Sequence, residues 1–300
     1  MAKMIKNNKD KLIGISVMGE VVTAIFASTP PGYIGTPYLV SYEGKPTLVP
    51  PAGGIVYNVR LGDPVLGWEG DHISPGASIK HKDDRSNNAL NVYSCIGNEA
   101  TVMSGEAKGA KGIVSGKFGH GPHVILYFEP DVLDKLAIGD RIQVKALGTG
   151  LEIEGYDDIK CWSLDPGLLE KMSLSVAKDG RLRVPVTAVV PGELIGAGSG
   201  HTGDRWDVDI MTSDKEMLAQ HGLLDIRFGD VVAITDYDSS GACFYLSGAV
   251  TVGVLSQGDS YMAGHGPGVT PIMSSPSGRI EPVLDPKANI ALLLGLRSDL

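Results

Sequence analysis

The sequence predicts an α+β fold in which strands dominate: mixed sheets and small barrel-like lobes, joined by few short helices. Short β-branched apolar runs recur along the chain, as at residues 182–190 and 249–255. Glycine and proline, 40 and 18 of 300 residues, break up the intervals between them. A helix–Gly-Asp–strand pattern also occurs twice.

Residues 12–28 cluster apolar side chains around Gly19 and read as two strands joined near Met18–Glu20. The Pro/Gly-rich stretch 30–37 breaks regular structure, and 38–49 reads as a hairpin turning at Glu43-Gly-Lys45. Residues 55–59 form a strand, 81–88 a polar surface loop with His81 idle, and 89–96 and 99–103 two further strands. Another strand spans 123–128. Asp165-Pro166 opens a short helix, because proline is tolerated in a first turn. Residues 182–190 read as one strong strand and 208–211 as a short one. Asp285 as N-cap, with Pro286 at the first helical position, starts the last helix.

The repeated unit covers residues 129–145 and 213–234: a capped short helix, an apolar residue, Gly-Asp, then an alternating strand. Glycine supplies an unusual φ there, and the Asp carboxylate can bond backbone N–H groups across the turn. The pairs are Gly139-Asp140 and Gly229-Asp230, with Gly62-Asp63 a weaker third. The pattern divides the chain into an N-terminal β-rich lobe, 1–105, and a lobe with the duplicated unit, 106–300, packed as one compact unit.

Composition narrows the function. Charged residues are 20% and apolar residues 43%, which points to buried subunit interfaces and a homo-oligomer. A formal charge of −9 without a basic stripe argues against nucleic acid. The lysine clusters at 3–11 and 108–117 read as a solvated tail and a solvated loop. Cys95, Cys161 and Cys243 show no CxxC spacing and fit reduced thiols. No apolar run approaches the roughly 18 residues of a membrane span, and no signal-peptide pattern follows the basic start. A cytoplasmic protein with a small-molecule ligand is expected.

Four loops hold a histidine among glycines, at His72, His120, His201 and His265. An aqueous turn does not need an imidazole, and rigid glycine loops at strand ends are where sites tend to sit. In residues 261–270, Gly264, Gly266 and Gly268 allow backbone N–H groups to approach a ligand and Pro267 stiffens the loop. Asp71 beside His72 suits a metal shell or an acid–base pair. His201 precedes a run of acids at 204, 207 and 209, so His201 and Asp204 are further candidates. His120 belongs to a second Gly-His-Gly-Pro, matching the one at His265. Residues 235–241 lack the Glu of an EF-hand, which leaves Asp236 and Asp238 as possible hard-cation ligands. No P-loop, dinucleotide fingerprint or serine elbow is present.

Five stretches together, GDHISPG (70–76), VPGELIG (190–196), FGDVVAI (228–234), AGHGPGVT (263–270) and PVLDPKANI (282–290), resemble an uncharacterised bacterial family found mainly in anaerobes and known only as a domain of unknown function. The resemblance runs over nearly the whole chain. It implies a stand-alone cytoplasmic protein and brings no catalytic residues with it.

The residues themselves lead to a metal-assisted hydrolase of a small amide or cyclic amide. One divalent cation would be held by His72, His265 and Asp236. Asp71, His201 and Asp204 would serve in catalysis, with Gly264, Gly266, Gly268 and His120 around the substrate. Alternatives are a non-catalytic oligomeric protein binding a small metabolite or metal, and a metal-free acid–base isomerase or lyase.

Overall fold

The computed structural model describes residues 5–24, 38–119 and 121–300. The N-terminal half comprises β1 (Ile15–Val21), β2 (Leu39–Val40), β3 (Pro46–Thr47), β4 (Ile55–Val56), β5 (Gly76–Lys80), α1 (Asp84–Tyr93), β6 (Glu99–Val102), β7 (Lys111–Phe118), β8 (His123–Tyr127), α2 (Pro130–Leu133) and β9 (Arg141–Ala146). The order β1-β9-β6-β7-β8-β5 closes on itself, because β5 also pairs with β1 through Glu20↔Lys80 and Val21↔Ile79. The result is a six-stranded antiparallel barrel, and closure removes the exposed edges of an open sheet.

Ile79, Val114, Leu126, Ile142 and Val144 fill the barrel together with Leu90 of α1. That plug explains two departures from the sequence expectation. Residues 12–28 do not break into two strands at Gly19, because a Cβ there would lie 2.9 Å from Leu90 and 3.1 Å from Ile79. Gly19 is a packing residue inside one strand, and residues 25–28 lie outside the described residues. Residues 84–93, expected as loop and then strand, form a helix. Asp83 caps it by accepting from the Ser86 N–H, and Leu90 faces inward.

The C-terminal half comprises β10 (Lys160–Cys161), α3 (Pro166–Lys171), β11 (Ser175–Val176), β12 (Leu182–Val186), β13 (Ala188–Pro191), β14 (Val208–Asp209), α4 (Lys215–Gln220), β15 (Val231–Asp238), β16 (Phe244–Leu255), β17 (Gly268–Ser275), β18 (Ile280–Leu284) and α5 (Ile290–Leu293). One sheet has the order β10-β17-β16-β15-β13, with β14 paired to β17. A smaller sheet has the order β11-β12-β18. The single strand expected over 182–190 is therefore two, β12 and β13, which belong to different sheets. Among the described residues, no helix is long and apolar enough to cross a membrane.

All three Gly-Asp pairs make the same turn. Gly62, Gly139 and Gly229 have φ of 90°, 90° and 85°. The following carboxylates accept from the N–H three residues back: Asp63 from Arg60, Asp140 from Ala137 and Asp230 from Arg227. The last helix differs from its expected start. Asp285 bonds Lys287 in a turn, and α5 begins at Ile290 with Asn289 as N-cap. Asn289 is held there because its amide also donates to Phe228 O and Asp230.

The division expected at 105/106 falls inside the barrel, between β6 and β7; the two large sheets separate between Ala146 and Lys160. They are joined by β7. A Cβ on Gly116 would come within 2.1 Å of Ser256 Cβ, so the strand lies directly on the second sheet. Beside it Lys117 N–H donates to Thr270 Oγ1, and Gln257 Nε2 donates to Lys117 O. Gly116→Ala is expected to destabilise the fold by about 1–3 kcal/mol through overpacking. The check is urea unfolding of the two proteins side by side.

Candidate metal centre

Four chain segments converge beside this β7 contact. They are the loop 70–74 ahead of β5, residues 207–209 with β14, the loop 262–267 ahead of β17, and Phe118-Gly119 at the end of β7. Asp209 is the common point. β14 is held on one side by β17 through Asp209↔Gly268, and on the other by Asp209 N–H to Ala197 O and Gly196 N–H to Asp209 O. Its carboxylate is fixed by backbone pairing. Asp209 Oδ2 lies 3.0 Å from His72 Nε2 and 3.1 Å from His265 Nδ1. The two rings meet edge to face at 5.4 Å, and Phe118 stands 5.7 Å from His72.

His72 occupies the left-handed region, φ 52°, where a residue with a Cβ is uncommon. Its N–H donates to Asp259 O. Behind it, Asp71 Oδ1 lies 3.2 Å from Nδ1, off the line of a good hydrogen bond, and accepts one from Ser260 Oγ at 2.6 Å. Asp71, His72 and Asp209 are buried, whereas the His265 side chain is 33% exposed and marks the open side. Asp207, two residues before Asp209 and on the same face of the extended chain, accepts from Gly119 N–H at 2.7 Å.

The buried charges act on one another. Burial opposes the His72 cation, but Asp209 and then Asp71 outweigh it and hold the imidazole well above its usual range. Burial would likewise raise Asp209, and His72 and His265 overcome that to hold it below the usual carboxylate value. Asp207 lacks such partners: burial, with the charge of Asp209, pushes it up to about 7.

Donor atoms around a tetrahedral ion with bonds of about 2.0–2.2 Å stand roughly 3.3–3.6 Å apart. His72, Asp209 and His265 each offer one ligand atom, all within 4.8 Å of one another. This set could hold a divalent cation with only small side-chain shifts. His72 would bind through Nε2 with Nδ1–H turned toward Asp71, the carboxylate–imidazole–metal arrangement that fixes tautomer and orientation.

The structure thus brings together His72, His265 and Asp71 and adds Asp209, which sequence reasoning had noted only in a run of acids. The clue was strand alternation: Asp207 and Asp209 share a face if the strand begins there. Asp236 is not in the cluster. It sits at a β-bulge where β15 meets β16, φ 54°, and accepts from Gly248 N–H at 2.6 Å. Asp238 is buried in a hydroxyl network with Ser240 and Ser274.

His201 stacks on Trp206 at 3.9 Å, in the loop that leads into β14. The Asp204 carbonyl receives Lys117 Nζ at 2.7 Å and Ser163 Oγ at 3.3 Å. These residues clamp that loop to the barrel. Lys117, expected in a solvated loop, is fully buried, and burial pulls its ammonium down to about 8. Gly264 accepts from Ala197 N–H, and a Cβ on Gly266 would come 1.9 Å from Ile210 O. His120 lies outside the described residues. His123 is buried, and burial drives it down to about 4, so it is neutral at physiological pH. Burial pushes Cys95 and Cys243 up to about 11 and Cys161 to about 12, so none supplies a thiolate near neutrality.

In the metal-free protein His72 is expected to hold its proton to a higher pH than an ordinary imidazole, and Asp209→Asn to lower its titration point. Because the folded value lies above the unfolded value near 6.5, the stabilisation from this pair is complete below about pH 6.5. It is lost as pH rises through the folded value. Imidazole chemical shifts followed through a pH titration of both proteins check this; an unchanged His72 midpoint in Asp209→Asn would contradict it.

Comparison with known proteins agrees with the resemblance noted in the sequence. The crystal structure of TM1086 superposes with a TM-score of 0.88 at 41% identity, covering 96% of this chain and 99% of that one. No functionally curated protein matches the chain. Residues 38–170 match the N-terminal domain of unknown function DUF4438, and residues 171–294 match its C-terminal counterpart. The chain belongs to the DUF4438 family, a family of unknown function.

Proposed function

We propose that the protein is a metal-dependent hydrolase of small amides. The observation that carries this reading is the convergence of two imidazoles and one carboxylate around a shared point, with one side open past His265. Two histidines and a carboxylate are a donor set that leaves coordination positions for water and substrate. A divalent cation there would bring a water's pKa toward neutrality and polarise a carbonyl oxygen.

The chain's own residues divide the remaining work. Asp71, anchored by Ser260, lies 3.2 Å from His72 Nδ1, on the opposite edge of the ring from Asp209, where a small shift would let it accept Nδ1–H. Asp207, held near neutrality, is poised to accept a proton from an attacking water or return one to a leaving group. Phe118, itself buried, packs beside the His72 ring and shields it from solvent on that side.

The test is hydrolysis of short primary and cyclic amides by protein reconstituted with zinc, manganese or iron(II), before and after chelation. Turnover that chelation abolishes, that metal restores and that falls at least 100-fold in His265→Ala is the expected result. Stoichiometric metal without turnover would favour the binding-protein reading, and turnover unaffected by chelation would favour metal-free acid–base chemistry.

A further inference from the structure

A cleft of about 390 Å³ is lined in part by Asp259, Ser260 and Tyr261, the segment that leads to His265. That size falls within the range of small-molecule sites. The segment is firmly held. Ser260 Oγ donates to Asp71 Oδ1 at 2.6 Å, Asp259 O accepts from His72 N–H, and Asp259 Oδ1 accepts from Thr212 Oγ1. The loop 66–70 supplies Leu66, Trp68 and Glu69, the β2–β3 hairpin supplies Tyr42, and Leu224 follows α4. Tyr42 N–H donates to Tyr261 O at 2.8 Å, which ties the hairpin to the same segment.

Three aromatic side chains and two leucines therefore line one open cleft. The Trp68 indole N–H is used on Pro64 O at 2.7 Å, so this residue offers the cleft ring surface rather than a donor. The two carboxylates differ. Asp259 is balanced by Lys215, whose Nζ lies 3.2 Å from Oδ2. Glu69 Oε2 accepts from Tyr261 O–H at 3.0 Å, and among the described residues Glu69 is in no ion pair. A neutral phenol holds that carboxylate in place without cancelling its charge. Aromatic faces attract cations through their negative quadrupole, and the leucines match alkyl groups.

We propose that this cleft binds a small organic cation of the alkylammonium class, with Glu69 as its counter-ion and Trp68, Tyr42 and Tyr261 around its alkyl groups. A neutral ligand would leave the Glu69 charge unmatched, and an anion would be repelled by it. The walls are preformed, because hydrogen bonds to Asp71, His72, Thr212 and Pro64 already fix them, so little ordering opposes binding. The inference does not depend on the hydrolase reading.

The experiment compares choline with 3,3-dimethylbutan-1-ol, which has the same shape with carbon in place of the charged nitrogen, by isothermal titration calorimetry. Wild type is expected to bind choline about tenfold more tightly. Glu69→Gln keeps an acceptor for Tyr261 and removes the charge; it is expected to weaken choline about fivefold and leave the alcohol unchanged. Trp68→Leu is expected to weaken choline by a similar factor. Equal affinity for the two compounds, absence of choline binding, or a preference that both substitutions retain would overturn the site. The wild-type comparison and the exposed Glu69 variant decide even where Trp68→Leu does not fold.

Discussion

One carboxylate oxygen, Asp209 Oδ2, ties the architecture to its chemistry. It accepts both His72 and His265, which come from loops almost 200 residues apart in sequence. Its position is set by backbone pairing, since β14 is held by β17 on one side and by residues 196–197 on the other. Side chains anchored in this way hold geometry better than side chains on a free loop. The glycines around it follow from the same constraint. Gly266 must admit the Ile210 carbonyl, and Gly268 must leave room for Asp207 and Gln257.

The concentration of charge in this interior is costly. Asp71, His72, Asp207 and Asp209 are all nearly inaccessible to solvent, and a buried ion pair regains little more than its desolvation penalty. The left-handed backbone of His72 adds local strain. Strain and buried charge kept together at one junction between two sheets mark a place built for a task other than stability. A divalent cation held by His72, Asp209 and His265 would take the place of the proton that His72 now carries toward Asp209.

Much of the fold was legible in the sequence. Glycine and Asp side chains act locally, so the three Gly-Asp turns, the hairpin at Gly44 and the capped start at Asp165 could be read directly. The misreadings came where tertiary packing overrode local pattern. Gly19 looked like a turn but serves Leu90, and residues 84–93 read as a loop running into a strand but form the helix that plugs a barrel. Barrel closure itself depends on β1 meeting β5, a pairing between residues about sixty apart that no short window reveals. At the site, His72 and His265 stood out because imidazole in a glycine loop has no local purpose. Asp209 was hidden because its role comes from the register of a two-residue strand, and Lys117 because nothing in its neighbourhood announces burial.

The most direct test of the account is an anomalous-scattering map from crystals of the wild-type protein grown with stoichiometric zinc. A single strong peak bonded to His72 Nε2, Asp209 Oδ2 and His265 Nδ1, and absent from His265→Ala crystals, is the predicted result. A map with no peak there, or a peak on other residues, would contradict the metal centre on which the functional reading stands.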